Sequence, residues 1–170
     1  MNLFLCDIEG TYKGLENREK QLNRFICNLS KLNEMDETTM IFSFVSSEPK
    51  ESVRTCVSEL HEYLTDDIKL GIQYSNKYKF NKEKTIETNM ISKLDQCIDA
   101  INRVDAQKVY FADDSIMTQV IVIETLKIKY PNIDIVGLNP SDGIKGLNFE
   151  IENYISKHKK VKSKKLIKEN

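Results

Sequence analysis

The chain predicts an α/β fold, a doubly wound parallel five-stranded sheet with helices on both faces, Rossmann-like in plan. Two observations predict it. Short apolar runs of strand length recur, and helix-length segments separate them. Carboxylates or hydroxyls follow directly on the first, second and fourth of those runs, the sheet edge where open parallel sheets hold ligands. At 170 residues, 40% apolar and 30% charged, the composition suits one domain with its own core, placed at residues 1–155.

Each element has its own signal. Leu3–Cys6 is a short apolar run, and Gly10 permits a sharp exit after it. Leu22, Phe25, Ile26, Leu29 and Leu32 repeat at helical spacing. Met40–Val45 is the second strand, and Ser46-Ser47-Glu48-Pro49 reads as a cap with a proline at a helix start. Val53, Cys56, Val57, Leu60 and Leu64 give that helix its buried stripe. Ile68–Tyr74 is a third strand, followed by the lysine-rich segment Ser75–Ile91, which has no clear period. Ser92-Lys93-Leu94-Asp95 resembles a capping box ahead of Cys97, Ile98 and Ile101. Lys108–Ala112 is the fourth strand. Ile116–Tyr130 reads as helix despite the strand-like run Val120–Ile123, and Pro131 ends it. Ile133–Leu138 is the fifth strand, and Leu147, Ile151, Tyr154 and Ile155 mark a last helix.

Charge is uneven along the chain. Residues 156–170 hold seven lysines and one glutamate, net +6. The formal total of −1 therefore leaves −7 on residues 1–155. The basic tail is expected to be disordered. Without interleaved aromatics it reads as a solvated terminus, not as a nucleic-acid-binding arm. Cys6, Cys27, Cys56 and Cys97 are far apart at apolar positions and read as buried reduced thiols. Two histidines make a zinc site a poor fit. No apolar run is long enough for a membrane span and no signal-type core opens the chain. A cytoplasmic location is expected.

The chemistry lies at the strand ends. Asp7 and Glu9 follow the first strand with Ile8 between them, so alternation would let the two carboxylates converge. Ser46 or Ser47 ends the second strand, and Asp113-Asp114-Ser115 ends the fourth. In a doubly wound sheet all of these open on one edge. Carboxylates gathered there repel one another unless a cation sits among them, and hard oxygen ligands favour Mg²⁺. Taken singly, Asp7 and Glu9 could cap a turn, and Asp113-Asp114-Ser115 could be an acidic helix N-cap. Both at strand ends, with Gly10-Thr11 behind the first pair, favour a functional site.

These residues resemble the haloacid dehalogenase-like (HAD) superfamily over residues 1–155. Asp7-Ile8-Glu9-Gly10-Thr11 is similar to the first motif, usually Asp-x-Asp followed by glycine and threonine or valine. Glutamate in the second acidic place departs from that pattern, although enolase-phosphatases of the superfamily share it. Phe44-Val45-Ser46 resembles the second motif, and Phe111-Ala112-Asp113-Asp114-Ser115 the fourth in its paired-aspartate form. The resemblance implies a Mg²⁺-dependent phosphohydrolase that cleaves a phosphate monoester through an aspartyl-phosphate. Asp7 would be the nucleophile and Glu9 the acid and base. Asp7, the Glu9 carbonyl, Asp113 and Asp114 would serve the metal. Ser46 would bind the phosphoryl group, with Ser47 as its substitute and Gly10 and Thr11 beside it. The motif lysine is assigned to Lys93, with Lys84, then Lys79 and Lys82, as alternatives.

Other readings stay open: a non-catalytic binding or regulatory protein on the same scaffold, or a receiver-like phosphoacceptor domain. The third strand ends without an aspartate, which counts against the receiver. The segments Thr11–Thr39 and Ser75–Ile91 leave room for a flap and a lid loop but not for a cap domain. The resemblance thus implies a minimally capped, open site, closed by a neighbouring subunit of a homo-oligomer or serving a large phosphorylated substrate. Tyr12, Lys13, Tyr78 and Lys79 are expected near its entrance.

Overall fold

Five parallel strands form one sheet in the order β3-β2-β1-β4-β5. The structure is a computed structural model and describes residues 1–71 and 85–169, Ile86 and residues 160–169 as backbone only. The strands are β1 (Asn2–Cys6), β2 (Met40–Phe44), β3 (Ile68–Leu70), β4 (Lys108–Ala112) and β5 (Asp134–Leu138). The helices are α1 (Arg18–Asp36), α2 (Lys50–His61), α3 (Ile86–Arg103), α4 (Ile116–Lys129) and α5 (Gly143–Glu169). Register runs Cys6 opposite Phe44 on one side of β1 and opposite Ala112 on the other. Strand order reverses between β1 and β4, the switch point where such sheets open a crevice at their carboxyl ends. Receiver domains place their second strand outside the first and their third beside it. Here β2 separates β3 from β1, so the receiver reading is overturned by topology.

Alternation along the strands builds a core on each face. Phe4, Phe42, Phe44 and Tyr110 face α1, α2 and α5, where Phe25, Leu29, Val53, Leu60, Leu147 and Ile151 meet them. The Phe4 ring stacks on Phe42 and Tyr110, with Phe25 edge-on. Leu3, Leu5, Val109 and Phe111 face α3 and α4, against Cys97, Ile101, Val122 and Leu126. A buried polar ladder joins α1 to α5. Asn148 donates to the Gln21 carbonyl and side chain, and Asn28 donates to Asn148 and Glu152.

Three boundaries and one burial expectation need correction. Helix α3 begins at Ile86 and not at Ser92, because Thr85 and Thr88 form the reciprocal cap about two turns earlier. Strand β3 ends at Leu70, and residues 72–74 of its predicted range lie outside the described residues. Cys27 is exposed, whereas Cys6, Cys56 and Cys97 are buried; all four are free. Helix α5 continues through the basic segment to Glu169 where disorder was expected. Lysine is a good helix former, and no proline or glycine interrupts residues 147–169. Helix α4 accommodates its strand-like run by turning Val122 and Ile123 inward and leaving Val120 and Ile121 exposed. Among the described residues, no helix is long and apolar enough to cross a membrane.

Candidate active site

Hydrogen bonds from the sheet carry Asp7 and Asp113 to one point. The Asp7 amide donates to Ala112 and the Val45 amide to Cys6, so the exits of β1, β2 and β4 lie side by side. Asp113 in turn donates to Leu138. One oxygen each of Asp7, Asp113 and Asp114 lies within 4.8 Å of the others. Asp113 is fully buried and Asp7 is nearly so, while Asp114 is exposed. Lys93 reaches over from α3, its Nζ 3.1 Å from Asp7 Oδ1 and 2.8 Å from Asp113 Oδ2. The predicted lysine is thus the one brought to the carboxylates, while Lys79, Lys82 and Lys84 lie outside the described residues.

The turn after β1 is shaped for this. Ile8–Tyr12 is a single kinked turn, with Gly10 at φ +70°. A Cβ on Gly10 would collide with the Asp114 carboxylate. Only glycine satisfies both the left-handed backbone and that close approach. Thr11 Oγ1 donates to Asp7 Oδ2 at 3.3 Å and accepts from the Asp114 amide at 3.1 Å, joining the two loops. Asp113 Oδ1 accepts from the Ser115 amide, and Asn139 donates to the Asp113 carbonyl.

Ser46 is buried at the exit of β2, and Ser47 follows it. Ser46 Oγ accepts from the Glu48 amide at 3.0 Å, a bond that leaves its own hydroxyl proton to be donated. Its backbone is pinned at both ends by Gln96, which accepts from the Ser46 amide and donates to the Ser46 carbonyl and to Ser92. Gln96 and Asn139 are positioning residues that sequence reasoning missed. Each is a lone amide without a motif, and only the fold brings it to its partner.

Glu9 departs from expectation. The chain turns at Asp7 instead of continuing as strand, so alternation does not carry the Glu9 carboxylate to Asp7. It is 66% exposed and pairs with Lys13 at 3.1 Å, while Lys13 also contacts the buried Glu48 at 3.4 Å. The three converging carboxylates therefore exclude the Glu9 side chain. Tyr12 is not at the entrance: it is fully buried and donates to Glu59. Lys13 is at the site's rim, and Tyr78 and Lys79 lie outside the described residues.

The three carboxylates could hold a cation. Burial raises the Asp7 carboxyl well above the ordinary range, Lys93 opposes that, and Asp113 adds to it. Burial likewise raises Asp113 against the pull of Lys93. Lys93 itself is raised, because Asp7 and Asp113 outweigh the cost of burying its ammonium. Three carboxylates share one lysine, an excess of negative charge. The donor set consists of hard oxygens from two adjacent strand ends, which fits a divalent ion such as Mg²⁺. Compared with protein-family models, curated proteins and solved structures, the chain matches none.

Proposed function

We propose that the protein is a Mg²⁺-dependent phosphohydrolase that cleaves phosphate monoesters through an aspartyl-phosphate on Asp7. The observation that carries this reading is the convergence of Asp7, Asp113 and Asp114 on one point, with Lys93 bridging the first two. Asp7 would attack phosphorus as the ester P–O bond breaks. Lys93 opposes the rise that burial imposes on the Asp7 carboxyl and would supply positive charge for the phosphoryl oxygens. Ser46 would donate its hydroxyl proton to one of those oxygens. Glu9, at the mouth, would protonate the leaving oxygen and then take a proton from the water that splits the aspartyl-phosphate. Asp7, Asp113 and Asp114, with the Glu9 carbonyl, would hold Mg²⁺. When bound, the metal neutralises charge on the phosphoryl oxygens and on the carboxylates together.

The turning of Glu9 onto Lys13 favours a second reading, a protein that binds a cation and phosphate on this scaffold without turnover. Phosphate release from p-nitrophenyl phosphate separates the two, measured with Mg²⁺ and with EDTA, in wild type and in Asp7→Asn. Metal-dependent release lost in Asp7→Asn supports the phosphohydrolase. Release that persists in Asp7→Asn refutes the nucleophile. No release, with Mg²⁺ still raising the melting temperature, supports the binding protein.

A further inference from the structure

Two grooves adjoin at Ser141 and Asp142 and together make a trough that starts at Asp114, one of the three clustered carboxylates. The first, about 500 Å³, runs between the kinked turn and the β5–α5 loop, along Gly10, Lys13, Asp114, Ser141 and Asp142. The second, about 280 Å³, shares Ser141 and Asp142 with it and continues to Arg24, Lys145 and Phe149. The near end opens beside Asp114 and the far end lies over α1 and α5. The loop between them is tied to the turn after β1: the Ile144 amide donates to the Lys13 carbonyl at 3.0 Å, and Gly143 sits at φ +61° where a Cβ would strike that same carbonyl.

The chemistry of the walls changes along the trough. Exposed Ser141 and Asp142 offer hydrogen-bond acceptors suited to hydroxyl groups. Beyond them, Phe149 is 59% exposed on α5. Lys145 stands one helical turn before it, also exposed, and Arg24 is held alongside by both oxygens of Glu152. An exposed phenyl ring sharing its groove with Lys145 and with the Glu152-paired Arg24 is a stacking surface for a flat, polar ring. This is the pairing of aromatic and basic residues that the lysine tail lacks, at the other end of the same helix.

We propose that this trough binds the leaving group, and that the substrate is a phosphomonoester with the chemistry of a nucleotide. The phosphate would sit on the carboxylate cluster, the sugar hydroxyls over Ser141 and Asp142, and the base against Phe149. This inference rests on the phosphohydrolase reading. The step needs no reactant but water. The Asp7 oxygen bonds to phosphorus as the sugar–oxygen bond to phosphorus breaks, the sugar oxygen takes a proton from Glu9, and water, giving a proton back to Glu9, then releases inorganic phosphate from Asp7. A free mononucleotide and the phosphorylated end of a strand share this chemistry.

Initial rates of the full chain with Mg²⁺ test it, on glycerol phosphate, adenosine 5′- and 3′-monophosphate, and a short single strand phosphorylated at either end. A nucleotide or strand end should exceed glycerol phosphate in kcat/KM. Phe149→Ala should lower kcat/KM for the preferred nucleotide about 5- to 150-fold more than for glycerol phosphate, from the range of base–aromatic stacking. The loss should lie chiefly in KM, and Phe149→Trp should restore it. A preference for the strand over the monophosphate assigns the substrate to nucleic-acid ends, and the reverse assigns it to free nucleotides. Equal use of glycerol phosphate and nucleotides, or equal losses on both in Phe149→Ala, overturns the substrate alone. Absence of turnover on every ester, p-nitrophenyl phosphate included, overturns the phosphohydrolase reading and this substrate with it.

Discussion

Removing Lys93 isolates the charge balance on which the site depends. Its Nζ lies 3.1 Å from one buried carboxylate and 2.8 Å from another. At an effective dielectric near 20, each contact is worth on the order of 5 kcal/mol before desolvation is subtracted. Burying the three ions offsets most of that. What remains on deleting the cation is the cost of stranding buried carboxylates, about 3–5 kcal/mol. For a chain of this size that is a fall in Tm of roughly 6–20 °C. The variant is Lys93→Met, which keeps the aliphatic stem, and the assay is thermal unfolding in EDTA at several pH values. The sign follows from the raised carboxyls of Asp7 and Asp113. A group whose folded pKa is raised contributes stability that is fully present below its unfolded pKa and lost as pH rises through the folded one. Without Lys93 both carboxyls rise further. The deficit of Lys93→Met should therefore be small at acidic pH, where they take up protons, and grow toward neutrality and above. Mg²⁺ should recover part of it. A variant that melts with wild type in EDTA above neutral pH would refute the reasoning, because the buried carboxylates would then need no internal cation.

Three further outcomes are expected. Asp7→Asn replaces a buried carboxylate beside Asp113 with a neutral amide, so it should raise the metal-free Tm by a few degrees, equivalent to about 1–2 kcal/mol. It should also blunt the rise in Tm produced by Mg²⁺, which calorimetry with and without the metal would read. Gly10→Ala places a Cβ against Asp114 at a left-handed φ, and should cost about 1–3 kcal/mol and weaken Mg²⁺ binding as measured by titration. Glu59 is held below the ordinary carboxylate range, first by hydrogen bonds from Arg18, so it contributes stability above its unfolded pKa that is lost as pH falls through the folded one. Its side chain is 35% exposed, so solvent screening holds the ion pair to about 1 kcal/mol or less. The Tm gap between Glu59→Gln and wild type should close below the carboxylate range.

Most of the architecture was legible because parallel strands buried on both faces read as plain apolar runs, as Leu3–Cys6, Met40–Val45 and Lys108–Ala112 do. Asp7, Ser46 and Asp113 were legible for a related reason: a polar residue directly after such a run must stand at the sheet edge. Lys93 entered only through the superfamily resemblance, and its helix start was misplaced, since the cap at Thr85 rests on two threonines within a segment that shows no apolar period. Glu9 was misread because alternation was extended three residues past the end of the strand at Cys6. Asp7 already leaves the sheet, and the turn that follows is governed by Gly10 and by the approach of Asp114. That same turn carries a functional consequence. It places the nucleophile candidate inside the cluster and the acid–base candidate outside it, on a lysine at the rim. The two roles would then be separated by solvent access. Asp7 is shielded beside Lys93, where a metal would also act on its charge, while Glu9 is exposed, where a leaving group and then water would reach it.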